Sequence, residues 1–313
     1  MNTLLGMGAK PRTKKKTDYH PRNFASATPI PITFQTSTPI IYMQNQQPCC
    51  GADLTTQYLN VLFGITGSPE FTWKNIRKID GYPPNAGSES STLGKVAQTI
   101  GTCDLSLMPD NSNVSDDIYA SYTGVTQPLL DNASSRKIAN YAFIDNPTFQ
   151  QIKDSIFQHK AVGLRVNCGD GWYTPSWLEK DMLPLKLGNY VDDHFILATG
   201  FDANYIYFTN SWSTAWGRQG IGYFDSSYIP YVKELIVFIP PGIATYKFNN
   251  VMYFGQTSAD IHALQGVLSI PQTGFYWFST TAAVKAYQVA HNLSTLSQGF
   301  VVMSDMLQSL NAS

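Results

Sequence analysis

The spacing of apolar residues changes along this chain, and each change marks a boundary. Residues 1 to 38 carry no periodic pattern. Pro, Thr, Ser and Lys dominate there, and the run TPIPITFQTSTP holds X–Pro steps that keep the preceding residue out of the helical region. This stretch reads as an arm or short pro-segment. From Ile40 a pattern begins: IIYM predicts a short strand, QNQQP a turn, and CGADLTTQYLNVLFG a helix with Leu54, Tyr58, Leu59 and Leu62 on one face and Gly64 placed to end it. Two more helices are predicted from STLGKVAQTIG and NPTFQQIKDSIFQHK. Four runs rich in β-branched and aromatic residues follow, AVGLRV, HFILATGF, YIYFTN and ELIVFI, divided by Gly, Asp and Asn turns. They predict antiparallel strands, so helices come first and sheet later, an α+β layout.

Near Pro240-Pro241-Gly242 the strand pattern stops and helical spacing returns. SADIHALQGVLS places Ile261, Leu264 and Leu268 on one face, and STTAAVKAYQVAHN places Ala283, Val284 and Tyr287 on another, with Ser258 and Ser279 as caps. The expected organisation is therefore an arm over 1–38, a two-lobed α+β domain over 39–242 and a small helical domain over 243–313.

Composition narrows the function. Of 313 residues, 43% are hydrophobic and 14% charged, with 18 Tyr, 17 Phe and 6 Trp, so the chain has ample apolar surface to fold. A formal net charge of -1 supplies no global field for nucleic acid or an anionic membrane, and no nucleic-acid partner is expected. The local exception is Lys10, Arg12, Lys14, Lys15, Lys16 and Arg22 against the single Asp18, read as a solvated arm, with a polyanion or membrane contact as the alternative. No run approaches the ~18 apolar residues of a membrane span, and MNTLLGMGAK lacks the order of a secretory signal, so a soluble chain without standard export signal is expected. The compartment stays open, with release from the cell or association with a virion among the candidates. Cys49, Cys50, Cys103 and Cys168 are not expected to form an obligatory disulfide. No C-x-x-C occurs and no histidine stands in ligand spacing to a cysteine, so no metal site is expected.

A thiol becomes a nucleophile when it ionises, and unpaired N–H groups at a helix N-terminus favour the thiolate. Cys50 sits at such a start. His194 opens HFILATGF and Asn210 closes YIYFTN; a hairpin turning at Asp202-Ala203-Asn204 makes them cross-strand neighbours able to share a hydrogen bond. Q-N-Q-Q-P-C-C-G-A, D-H-F-I-L-A-T-G-F-D and N-S-W-S-T-A-W-G-R together resemble the three active-site blocks of the papain family of cysteine peptidases. FTWKNIRKIDG through KVAQTIGTCD resembles its bacterial branch, and the likeness spans roughly 39 to 240. The resemblance implies a papain-like two-lobed fold and hydrolysis of protein or peptide substrates without metal or cofactor. It gives Cys50 the role of nucleophile, His194 that of base and Asn210 that of orienting group. It places Gln44, six positions before Cys50, in the oxyanion hole, and Trp212 as the shield over the Asn–His bond. Two departures stand out: Gly51 replaces the family's aromatic residue after the nucleophile, and Gln47 replaces a cysteine of a family disulfide. Cys103, Cys168, His20, His159, His262 and His291 read as structural or surface residues.

Residues 243–313 resemble the three-helix peptidoglycan-binding domain found beside many cell-wall hydrolases, through G-Q-T-S-A-D-I-H-A-L-Q, T-G-F-Y-W-F-S-T-T-A-A-V-K-A-Y-Q and Q-G-F-V-V-M-S-D-M-L. Its usual second Gly is missing, with Trp277-Phe278-Ser279 in its place. The resemblance makes peptidoglycan a candidate partner. The alternatives are a peptidoglycan stem-peptide hydrolase and a non-enzymatic papain-like binding or structural component, for instance of a phage particle, in which this module serves docking.

Overall fold

A computed structural model describes residues 8–13, 30–173, 186–241, 251–268, 275–290 and 298–302, with the single positions 293, 295 and 306. The chain divides into two compact units, Met1–Phe24 with Pro31–Gly242, and Ala25–Ile30 with Ile243–Ser313. Among the described residues no helix is long and apolar enough to cross a membrane.

The first unit layers helices on an antiparallel sheet. Its leading helix α1 (Cys50–Phe63) ends at Gly64, whose φ of 64° is a left-handed cap and whose N–H bonds the Asn60 carbonyl. Helix α2 (Pro69–Asp80) starts on Ser68, whose hydroxyl accepts the Phe71 N–H at 3.1 Å, with Pro69 in the first turn where its missing N–H costs nothing. Helices α3 (Ser90–Thr99), α4 (Asp116–Ala120) and α5 (Gln127–Ser134) follow, and α6 (Phe149–His159) opens on a reciprocal capping box between Thr148 and Gln151.

Strands β1 (Ala9–Lys10), β2 (Phe34–Gln35), β3 (Ser88–Glu89), β4 (Asn140–Asp145), β5 (Val162–Gly169), β6 (Tyr190–Phe201), β7 (Ile206–Thr209), β8 (Ile221–Phe224) and β9 (Val232–Ile239) complete the unit. The main sheet runs β4-β9-β5-β6-β7-β8, with β2 also paired to β6. One face carries α1: a Cβ on Gly163 of β5 would stand 3.1 Å from Leu54, and Tyr58 stacks on Phe238 of β9 at 4.7 Å. Period-2 alternation therefore turns Phe195, Leu197, Ile236, Phe238 and Phe143 into one core with Cys50, Leu54, Tyr58 and Leu59.

Three sequence expectations need correction. IIYM is not a ladder strand; it contributes only a single bridge, Met43 to Trp212. The β6–β7 hairpin does turn at Asp202, whose side chain accepts the N–H groups of Asn204 and Tyr205. Its register differs, however: Leu197 faces Thr209, with a slip between Ala198 and Gly200, so Asn210 lies just past the ladder and not opposite His194. The third correction concerns the basic start, whose Arg12 is not solvated although Pro11 and Thr13 beside it are exposed. β1 pairs in parallel with β3, and Arg12 is buried.

In the second unit, β10 (Met252–Tyr253) pairs with β11 (Val301–Val302), and α7 (Ala259–Val267) and α8 (Phe278–Ala290) bury Ile261, Leu264, Val284 and Tyr287 with Tyr276 and Met306. Ser258 caps α7 through the Ile261 N–H at 3.1 Å. Among the described residues two helices make up this unit, and residues 307–313 lie outside them.

Candidate active site

Cys50 is the first residue of α1, and Cys49 is its cap. The two thiols face different surroundings. Cys49 points to Asp53, at 3.6 Å from Oδ2, where Asp53 and Asp110 join burial in pushing its thiol up. The Cys50 thiol is fully buried, and burial pushes it up to about 12, with Asp53 and Asp192 adding to the rise and the backbone amides of Phe195, the residue after His194, and Gly8 acting against it. All four cysteines are free and buried.

His194 meets Asn210 as expected, although the ladder does not align them: Nε2 lies 2.8 Å from Asn210 Oδ1. Oδ1 also accepts the Ser211 N–H at 2.8 Å, which fixes that atom as the oxygen. Nε2 therefore carries the proton. Nδ1 is left as the basic nitrogen, buried and without a hydrogen bond. Trp212 lies against the imidazole with centroids 5.1 Å apart, Trp172 meets it edge-on at 5.7 Å, and the Tyr173 ring stacks on Trp212 at 5.0 Å. This aromatic wall is itself pinned, Trp216 Nε1 to the Trp172 carbonyl at 3.0 Å and Trp172 Nε1 to Tyr228 at 2.9 Å. His194 and Asn210 are both fully buried behind this wall, and that burial lowers the imidazole to about 4.

Gln44 joins the loop before α1 to the loop after β7. Its N–H bonds the Ser211 carbonyl at 2.9 Å, its Oε1 accepts from the Ser211 hydroxyl, and its Nε2 donates to the Gln47 carbonyl at 2.8 Å. The two departures noted in the sequence have local causes. Gln47 is buried and donates to the Val114 carbonyl at 2.6 Å, a polar tie in place of a disulfide. At Gly51 a Cβ would come within 2.6 Å of Ser88 Oγ and 2.8 Å of Leu93, so the space an aromatic side chain needs is already filled.

What fills it leads to residues that sequence reasoning missed. Ser88 belongs to β3, and β1 lies along β3 with Ala9 opposite Ser88 and Lys10 opposite Glu89. The Ser88 N–H donates to the Gly8 carbonyl at 2.7 Å, and Ala9 is buried in the same cluster as Cys49 and Cys50. Ala9 therefore packs in the cluster that buries the thiol, with Gly8 paired to Ser88 beside it. Beyond them Arg12 donates from Nε to Glu234 at 2.8 Å and from Nη2 to Asp145 at 3.0 Å. A cluster of Lys and Arg in a Pro-rich stretch reads as solvated because composition carries no trace of distant carboxylates. The β3 edge is fixed by Arg77, whose guanidinium binds the carbonyls of Pro83, Ala86 and Gly87 and the carboxylate of Asp80. His20 and His291 lie outside the described residues, as does the side chain of His262.

Helices layered on an antiparallel sheet in this way also occur in solved structures. The chain is similar to xylellain, a cysteine protease from Xylella fastidiosa, with a TM-score of 0.63 and 18% identity over 75% of this chain and 96% of that one. The fold is that of the papain-like cysteine proteases. Two proenzymes share it with this papain-like unit. Procathepsin B S9 from Trypanosoma congolense matches with a TM-score of 0.57 and 10% identity, covering 75% of this chain and 86% of that one. Procathepsin L 3 from the larval midgut of Tenebrio molitor gives 0.55 and 13%, covering 75% of each chain. No protein-family model and no curated protein matches the chain.

Proposed function

We propose that this chain is a cysteine peptidase that hydrolyses peptide bonds by acyl transfer through Cys50, held closed in this structure by its own N-terminal segment. The observation that carries the reading is the buried imidazole of His194, with Nε2 committed to Asn210 and Nδ1 unbonded, next to Phe195, which packs in one buried cluster with Cys50. An orienting amide, a base in one tautomer and a thiol at a helix head are the parts a thiolate mechanism requires.

In the closed state neither group ionises at neutral pH, because burial holds the thiol near 12 and the imidazole near 4. When residues 8–12 leave, water and the helix N-terminus favour the thiolate, and the proton passes to Nδ1. The thiolate attacks the substrate carbonyl, the Cys50 N–H and the Gln44 amide hold the oxyanion, and His194 returns its proton to the leaving amine. Water activated by the same imidazole then releases the acid and restores the thiol. Residues 1–38 act as the pro-segment in this reading, and N-terminal sequencing of active material tests that role. Turnover of a peptide panel and labelling by an epoxide thiol inhibitor test the chemistry; hydrolysis that survives Cys50→Ala refutes the assignment.

Targeting to cell wall by residues 243–313 is the second part. Its support is a group of rings on this unit: Phe275, Trp277, Phe278 and Phe300 are exposed, and Trp277 stacks between Phe254 at 4.8 Å and Phe275 at 5.4 Å. Flat aromatic faces suit the apolar faces of sugar rings. Co-sedimentation with purified peptidoglycan, lost in Trp277→Ala, checks it, and clearing of the same walls would identify stem peptides as the substrate.

A further inference from the structure

One buried acid beside the tandem cysteines has no part in the chemistry above. Asp53 stands in the first turn of α1, three residues after Cys50, and is 1% exposed. Residues three apart on a helix are neighbours, with Cβ atoms about 5–6 Å from each other. A carboxylate at Asp53 and a thiolate at Cys50 would therefore be two anions at one helix N-terminus, each competing for the same unpaired N–H groups.

The surroundings give Asp53 little with which to hold a charge. Its Oδ2 meets the Cys49 thiol at 3.6 Å, a weak donor, and its Oδ1 is buried without a hydrogen bond. Among the described residues it forms no ion pair. The hydroxyls near it are committed elsewhere: Tyr119 donates to Asp110 Oδ1 at 2.6 Å, and Tyr42 donates to the Gly67 carbonyl at 2.8 Å while accepting from the Asn60 amide. The titratable groups that face Asp53 are Cys49 and Cys50 at the head of α1, Tyr42 from the loop before it, Asp110 from the loop before α4, and Tyr119 from α4; none is a cation. Burial and Asp110 hold its carboxyl well above the usual range. An unpaired carboxylate in such a place is costly. The acid keeps its proton, and the positive end of α1 is left to Cys50.

We infer that Asp53 is a positioning residue for the nucleophile: as a neutral carboxylic acid it engages the Cys49 thiol and leaves the helix N-terminus to a Cys50 thiolate, which an ionised Asp53 would oppose. The inference rests on the peptidase reading for the role of Cys50, but it is testable without turnover.

Two measurements on the full chain test it. In infrared spectra at pH 7.5, where Asp110 at about 6 has lost most of its proton, wild type should show a protonated-carboxyl stretch that Asp53→Asn lacks. Absence of that band in wild type overturns the proposal, and it can be read even if the variant does not fold. The second measurement is iodoacetamide addition to Cys50, timed by mass spectrometry in wild type and in Asp53→Asn, an isostere that cannot ionise and still offers Cys49 an acceptor. The ratio of variant to wild-type rate should grow by ~10-fold or more from pH 6 to pH 10, the effect of removing a like charge about 6 Å away. A merely structural role would change the rate by one factor at every pH, so a constant ratio overturns the proposal. In turnover, the alkaline limb of kcat/KM should move to higher pH in Asp53→Asn. Cleavage with an unmoved limb and a constant labelling ratio sinks the role of Asp53 and spares the peptidase; a growing ratio without any cleavage does the reverse.

Discussion

Replacing Gly87 by Ala tests whether the N-terminal segment is what seals the thiol. A Cβ at Gly87 would stand 1.9 Å from the Gly8 carbonyl oxygen and 2.3 Å from its carbon, so one of the two chains must move. The Gly87 loop is held at three carbonyls by Arg77, whose side chain is 5% exposed, so the incoming segment gives way. It then loses the Ser88-to-Gly8 bond of 2.7 Å and the burial of Ala9. At about 1 kcal/mol per net hydrogen bond and ~0.8 kcal/mol for a buried methyl, roughly 2 kcal/mol of closure disappears. That is ~20-fold in the closed-to-open ratio. The assay is mass-spectrometric timing of iodoacetamide addition to Cys50 in the full chain, with buried Cys103 and Cys168 as internal references. Wild type should react more slowly than free cysteine, and Gly87→Ala about 20-fold faster than wild type. Gly8→Ala attacks the same contact from the other side, since its Cβ would meet the Pro48 carbonyl oxygen at 2.2 Å, and should act likewise. An unchanged rate in both variants, with melting temperatures also unchanged, would show that Gly8 and Ala9 do not cover the sulfur.

Three further outcomes follow from the same geometry. Asn210→Ala removes the acceptor from buried Nε2 and should cut kcat/KM by roughly 10- to 100-fold, with Asn210→Asp retaining more, as read in peptide hydrolysis. His159 is lowered to about 4 by burial, so the fold keeps it neutral while the unfolded chain takes a proton near 6.5; its contribution is complete above that pH and falls away down to about 4. Urea midpoints should show His159→Gln losing less stability than wild type between pH 7.5 and 4.5, by up to about 3 kcal/mol. Asp110 has the opposite sign: burial raises it to about 6, so its stabilisation is complete below about 4 and lost as pH passes 6. Asp110→Asn, which keeps an acceptor for the Tyr119 hydroxyl now at 2.6 Å, should gain up to about 3 kcal/mol at pH 7.5 and nothing at pH 3.5.

Much of the site was legible because its parts sit where local pattern is strongest. Helical spacing from Leu54 to Leu62 placed Cys50 at a helix head, and β-rich runs placed His194 and Asn210 on either side of the Asp202 turn. The register was not legible. A slip between Ala198 and Gly200 leaves Asn210 just past the ladder, from where its amide oxygen still meets His194 at 2.8 Å. Helices α2, α4 and α5 and strand β4 escaped because their apolar positions are few or interrupted; the five residues of α4 hold one clear apolar anchor, Tyr119. Arg12 was misread for a different reason. Its partners Asp145 and Glu234 stand far along the chain, and only the β4–β9 pairing brings those carboxylates side by side.

One segment controls both halves of the proposed enzyme, because it is anchored at two places of different chemistry. At Gly8 and Ala9 the anchor is backbone pairing and burial, which keeps the thiol neutral near 12 by excluding water. At Arg12 it is charge, two carboxylates that cannot be left bare. Both anchors act in one closing event, so their free energies add: Gly87→Ala and Arg12→Ala in one chain should raise the rate of iodoacetamide addition to Cys50 by about the product of their separate effects. A double variant that labels no faster than Gly87→Ala alone would mean that Arg12 takes no part in the closure at Gly8.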